Sequence, residues 1–99
     1  VANFGHQRER QVKRNLEEDG WVVVRAAGSL GELDLVAGKN GEPTRAIEVK
    51  ATARGPFAGF PPADRQELLA VAERAGFEPW LAWWPKRGKL EWIGPDEWP

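Results

Sequence analysis

The sequence predicts an α/β fold built on one central mixed sheet flanked by helices, in the order α-β-β-β-α-β-β. Three observations predict it: an apolar stripe at helical spacing near the N-terminus, several short runs rich in β-branched and aromatic residues, and a well-bounded second helix between those runs. The chain is 99 residues long, room for a single domain spanning 1–99.

In chain order, Gly5 to Asp19 reads as the first helix. Gly5, Glu9, Val12 and Leu16 share one face, and Gly20 is a natural stop. Trp21 to Arg25 is nearly continuous in apolarity, which predicts a strand buried on both faces. Ala26 to Gly31 is a Gly/Ser loop. Glu32 to Ala37 alternates, with Leu33, Leu35 and Ala37 on one side and Asp34 on the other. Gly38-Lys-Asn-Gly41 reads as a hairpin turn. Arg45 to Ala51 alternates again, so that Ile47, Val49 and Ala51 oppose Ala46, Glu48 and Lys50. Thr52 to Pro62 is a Gly/Pro loop. Asp64 as cap with Glu67 three residues on marks the second helix, and Gly76 ends it. Phe77 to Trp84 and Lys89 to Ile93 supply two more strands, and Gly94 to Pro99 a tail or an edge cover.

Composition excludes several classes. There is no cysteine, hence no disulfide framework, thiolate metal site or thiol chemistry, which fits a cytoplasmic location. No apolar run approaches membrane-spanning length. The net charge is −1, the opposite of a nucleic-acid binder's usual excess of Lys and Arg, although charge placement matters more than the total. Six tryptophans are many for one small core, all but Trp21 falling in the last quarter of the chain. They suit either a capped core or an interface.

The chemistry follows from strand alternation. Glu48 and Lys50 project from one face of their strand, and a hairpin would set Asp34 on the neighbouring strand beside them. The apolar faces of Leu33, Leu35, Ile47 and Val49 would pack on the opposite side. The first helix is expected to cover the polar patch and bring Glu9 into it, the alternative for Glu9 being a salt bridge to Arg25 or Lys50. Carboxylates converging without His or Cys form a hard-cation arrangement, suited to Mg²⁺, with Mn²⁺ as substitute. Lys50 beside such a site would stabilise charge developing on a phosphoryl group or orient a water, so phosphodiester hydrolysis is the reaction these parts suit.

These residues resemble the PD-(D/E)xK nuclease superfamily, with Asp34 and Glu48-Val49-Lys50 at its core. Over residues 5–84 the resemblance tightens to archaeal-type Holliday junction resolvases. The matching segments are Glu9-Arg10, Gly20-Trp21-Val22-Val23-Val24-Arg25, Ala26-Ala27-Gly28-Ser29, Asp34-Leu35-Val36-Ala37-Gly38 and Ile47-Glu48-Val49-Lys50. The resemblance implies a restriction-endonuclease-like fold and a metal-dependent endonuclease. Asp34, Glu48 and the Val49 carbonyl would be metal ligands, Glu9 an acidic partner of the metal, Lys50 the catalytic lysine and Ser29 a loop residue near the scissile phosphate. Arg10 and Arg25 would contact DNA or brace the site. The chain departs from the pattern in Leu33, where the superfamily has Pro, in a small insertion at Leu30-Gly31-Glu32, and in an expected shortfall of C-terminal tail. Similar motifs also occur in other, less characterised small nucleases, so cutting of linear duplex is a rival expectation, as is a non-catalytic module that binds branched DNA.

If a four-way junction is the partner, Arg8, Arg10, Lys13, Arg25, Arg54 and Arg65 are candidate DNA contacts with Ser29. Phe57 and Phe60 would stack or wedge at the junction centre, unless they fold back on the core. The late turn Pro85-Lys86-Arg87-Gly88, with Lys89, reads as solvated charge. Paired cuts across a two-fold junction imply a homodimer, with an interface expected in Leu68, Leu69, Val71 and Ala72 and in the Trp80–Trp84 and Trp92 region. No organic cofactor is expected.

Overall fold

The computed structural model describes residues 4–26 and 33–99. Among them the elements are α1 (Phe4–Glu18), β1 (Val22–Arg25), β2 (Leu35–Gly38), β3 (Arg45–Ala51), α2 (Pro62–Ala75), β4 (Glu78–Trp84), β5 (Glu91–Ile93) and a terminal 3-10 turn, Pro95–Glu97. The strands form one five-stranded sheet in the order β1-β2-β3-β4-β5. Only β3 and β4 are parallel, joined by the α2 crossover; the other pairings are antiparallel. The predicted α/β class, mixed sheet and element order are those observed.

The hairpin between β2 and β3 is wider than the Asn-Gly pair suggests. Its tip closes where the Glu42 N–H donates to the Lys39 carbonyl at 3.0 Å. Gly41 takes φ 85°, the left-handed value glycine adopts without strain. The second helix begins two residues before the expected Asp64. Pro61 caps it without a side-chain hydrogen bond and Pro62 opens it, while Asp64 sits in the first turn. Proline at the first helical position costs nothing, because that N–H has no partner within the helix.

Each face of the sheet carries its own core. Helix α1 packs on Val23, Leu35, Ala37, Ile47, Val49 and Ala82, contributing Val12 and Leu16. The other face holds Leu33, Ala46, Phe60, Leu68, Ala72, Leu81 and Ile93, beneath α2 and the Gly/Pro loop. The predicted positions of Leu68 and Ala72 at a dimer interface are therefore corrected, since both are sealed inside this second core. The first strand also departs from expectation. Val22 and Val24 are 72% and 60% exposed, because β1 is the edge of the sheet and α2 lies over β3 and β4.

The tryptophans largely cap the core. The Arg45 guanidinium lies 4.4 Å from the ring centroid of Trp21, 5.1 Å from Trp80 and 5.6 Å from Trp92. Trp80 and Trp92 meet edge to face. A cation among three indoles lets large rings close one end of the core while its own charge interacts with their faces.

Candidate active site

The peptide turns over at Asp34. In a regular antiparallel strand, the N–H and C=O of one residue face the same neighbouring strand. Here the Asp34 carbonyl accepts from Ala26, at the end of β1, whereas the Asp34 N–H donates to Ile47 of β3, both at 2.9 Å. Side-chain alternation inverts at the same point. Leu33 enters the α2-side core and Leu35 the α1-side core, although two residues apart on a regular strand they would share a face. This is bulge geometry, and it corrects the expectation that Leu33 and Leu35 pack together. Both side chains are still buried, at 2% and 0% exposure.

The turn directs the Asp34 carboxylate along the sheet instead of above it. Its Oδ2 accepts the Val49 N–H at 2.8 Å, taking the place of the backbone acceptor that β2 would have supplied had it continued. β2 starts only at Leu35 while β3 runs on to Ala51. Asp34 therefore sits just before the start of β2, between the end of β1 and the second half of β3.

Glu48 precedes Val49 on β3 and lies on the α2 face, with Leu81 as its register partner on β4. It is 3% exposed, the one buried charged or polar residue among the described residues. Burying a carboxylate is costly unless it is paired or holds a metal ion. Lys50 follows on the same face and is half-buried. The Gly/Pro loop passes over its stem: a Cβ placed on Gly59 would lie 3.5 Å from the Lys50 Cδ.

Helix α1 lies on the face opposite Glu48 and Lys50, correcting the expectation that it covers them. Ile47 and Val49 offer its apolar stripe the surface it needs, and the polar face does not. Glu9 instead meets the end of β1, where its Oε1 is 3.8 Å from Arg25 Nε. Arg25 pairs in register with Leu35, next to Asp34. Glu9 therefore approaches the Asp34 segment from the α1 side, through Arg25. The alternative of a Glu9–Arg25 salt bridge is thus realised at the border of the site.

Thr52 was not anticipated as part of the site. Its Oγ1 donates to the Gly55 carbonyl, and Trp83 Nε1 donates to the Thr52 Oγ1 at 2.9 Å and carbonyl at 3.2 Å. It ties the loop to β4 two residues after Lys50. The spacing Glu48, Lys50, Thr52 continues the strand's period of two and was the available signal.

Other candidates are placed elsewhere. Phe60 is 0% exposed and meets Trp98 edge to face at 5.2 Å, so its predicted contact with DNA is corrected: the loop needs an apolar anchor, and this ring is it. Arg65 serves the same loop, donating to the carbonyls of Phe60 and Pro99 at 3.0 Å each and lying 5.6 Å over the half-buried Phe57 ring. Lys13 pairs with Glu17 at 2.7 Å one turn on. Arg10 and Arg54 are exposed, and Arg8 lies 4.9 Å over the Trp84 ring. Ser29 lies outside the described residues.

Among the described residues no three His, Cys, Asp or Glu side chains form a ready-made metal cage. The donors that are placed still fit a hard divalent ion. Mg²⁺ keeps several waters and is held by one or two carboxylates together with substrate phosphate, and Asp34 and Glu48 supply two carboxylates on adjacent strand segments.

A mixed sheet with an acid at a bulge and a Glu-x-Lys strand beside it is the frame of the PD-(D/E)xK nucleases. Comparison narrows the class. Residues 1–98 match the archaeal Holliday junction resolvase (Hjc) family, and the chain belongs to that family. It is 38% identical over 78 residues to the crossover junction endodeoxyribonuclease Hjc of Methanocaldococcus jannaschii, a match covering 79% of this chain and 56% of that protein's length. The chain thus spans little more than half of that relative. In three dimensions it is similar to Archaeoglobus fulgidus Hjc, a Holliday junction resolvase from an archaeal hyperthermophile. The TM-score is 0.78 at 28% identity, covering 93% of this chain and 73% of the other. It is also similar to AF1548, a protein of unknown function, with TM-score 0.59 and 26% identity over 88% of this chain and 50% of that one.

Proposed function

We propose that this chain is a metal-dependent endonuclease that resolves four-way DNA junctions by hydrolysing one phosphodiester in each of two opposed strands. The observation that carries the reading is the Asp34 bulge, which presents a carboxylate, hydrogen-bonded to the Val49 N–H at 2.8 Å, beside buried Glu48. Family membership supports the choice of a branched substrate.

Asp34 and Glu48 would hold Mg²⁺, with the Val49 carbonyl as a further ligand, Glu9 an acidic neighbour and Mn²⁺ a working substitute. The ion would supply Lewis acidity and a bound water of lowered pKa. This chain's own residues do the rest. The Val49 N–H fixes the Asp34 carboxylate, so no reorientation is needed when the phosphate arrives. Lys50, its stem packed beneath Gly59 on the strand face that Glu48 shares, would stabilise charge building on the phosphoryl oxygens. Thr52 and Trp83 hold the loop that confines it. Arg10, Arg25 and Arg54 lie on exposed surfaces suited to phosphate contacts, and Ser29 is a further candidate near the scissile group.

The test is cleavage in Mg²⁺ of matched substrates: a four-way junction, a flap, linear duplex and single strand. Symmetric paired nicks confined to the junction are expected. Equal cutting of linear duplex would favour a general nuclease, and tight junction binding without cutting a non-catalytic module.

Two paired cuts call for two copies of the site, so we propose a homodimer. The exposed Val22 and Val24 on the edge strand, and half-exposed Leu69 and Val71 on α2, are the apolar surface that supports it. Sedimentation at micromolar concentration should give twice the chain mass; a monomer alone would contradict the dimer. None of the described helices is long and apolar enough to cross a membrane; we propose the cytoplasm as the site of action.

A further inference from the structure

The late turn was read from sequence as solvated charge, but it stands at the rim of an open groove. The groove has a volume of about 580 Å³ and is lined by Arg8, Ala51, Thr52, Ala53, Trp84, Pro85 and Lys86. Among the described residues, Arg8 and Lys86 are its charged lining residues and no acidic side chain lines it, although the chain as a whole carries −1. Its walls adjoin the site along the chain. Ala51 directly follows Lys50, and Arg8 directly precedes Glu9 on α1. Ala51 and Trp84 are register partners at the C-terminal ends of the parallel pair β3 and β4, the end of such strands where ligands seat in open α/β sheets.

Of the groove's cations, Arg8 is held in place. Arg8 lies 4.9 Å over the Trp84 ring and donates through Nη1 to Gln11 Oε1 at 2.9 Å. Stacked in this way, a guanidinium keeps its remaining N–H edge available for phosphate oxygens. Lys86 is exposed on a short turn held by Gly88, whose φ of 114° disfavours any other residue. An indole floor flanked by two cations, with small Ala and Thr residues between them, matches a phosphodiester backbone in both charge and shape.

We propose that this groove seats the backbone of the DNA arm flanking the cut, with Arg8 and Lys86 on its phosphates. The inference rests on the nuclease reading and gives the late turn a part in substrate binding. It is tested by anisotropy of a fluorescent four-way junction in metal-free buffer at several salt concentrations, comparing Lys86→Glu with Lys89→Glu. Lys89 is also exposed and carries the same charge, but lies outside the groove. Lys86→Glu is expected to weaken binding about tenfold and to lower the salt dependence by about one phosphate contact. Lys89→Glu should change affinity less than about twofold. Equal losses in both variants would show a net-charge effect alone and overturn the groove, as would native affinity in Lys86→Glu. Either result leaves the nuclease reading intact. A native chain that binds no DNA would overturn that reading and the groove together.

Discussion

Replacing Asp34 with Asn is expected to lower junction cleavage by roughly 10²–10³-fold or more while leaving junction binding at or above the native level. The amide oxygen of Asn can still accept the Val49 N–H, now made to Oδ2 at 2.8 Å, so the bulge and the fold should survive. What is lost is the negative charge that would bind and polarise a divalent ion at this position. Binding is carried by Arg and Lys contacts to phosphate, and removing an acid near them lessens repulsion. Single-turnover cleavage in Mg²⁺ and anisotropy in its absence separate the two effects. A variant that cuts at the native rate would place the site elsewhere.

The second large effect is on stability. Phe60→Ala should cost about 3–5 kcal/mol, because it empties a fully enclosed ring site and removes the edge-to-face contact with Trp98. For a domain of this size the melting temperature should fall by roughly 15 °C or more. Phe60→Leu retains most of the volume and should cost far less. Junction affinity measured well below the melting transition should match native in both variants. Should Phe60→Ala melt like the native chain yet lose affinity for the junction, the ring would be a DNA wedge and not a core anchor.

These two residues mark where reading the sequence succeeds and where it stops. Glu48 and Lys50 were legible because the period of a strand is a local property: two residues apart means one face, whatever lies around it. The order of elements was legible for the same reason, through helical spacing in residues 5–19 and the breakers at Gly20, Gly76 and the Gly/Pro loop. Asp34 was legible as a residue but not in its pose. Its carboxylate lies in line with the sheet because its own N–H and C=O turn to opposite strands, and hydrogen bonds to Ile47 and Ala26 are not encoded near Asp34 in the chain. Strict alternation therefore grouped Leu33 with Leu35, when the bulge sends them to opposite faces.

Phe60 was ambiguous because a Phe in a Gly/Pro loop has equal local reasons to stack on a base or to fold inward. Trp98, thirty-eight residues later in the sequence, decides it. Helix α1 carries a stripe that needs apolar cover. Only the assembled sheet shows that this cover is Ile47 and Val49, with Glu9 left against Arg25 at the end of β1. Likewise Val22 to Val24 reads as a buried run until the sheet order makes β1 an edge.

By itself, then, the sequence determined the α/β class, the element order and the face shared by Glu48 and Lys50, since each follows from local periodicity. The tertiary structure decided the bulge that aims Asp34, the side on which each helix lies, the burial of Phe60 and the groove that joins Lys86 to Arg8. Those depend on which strands become neighbours, and that is settled by burying apolar surface across the whole chain.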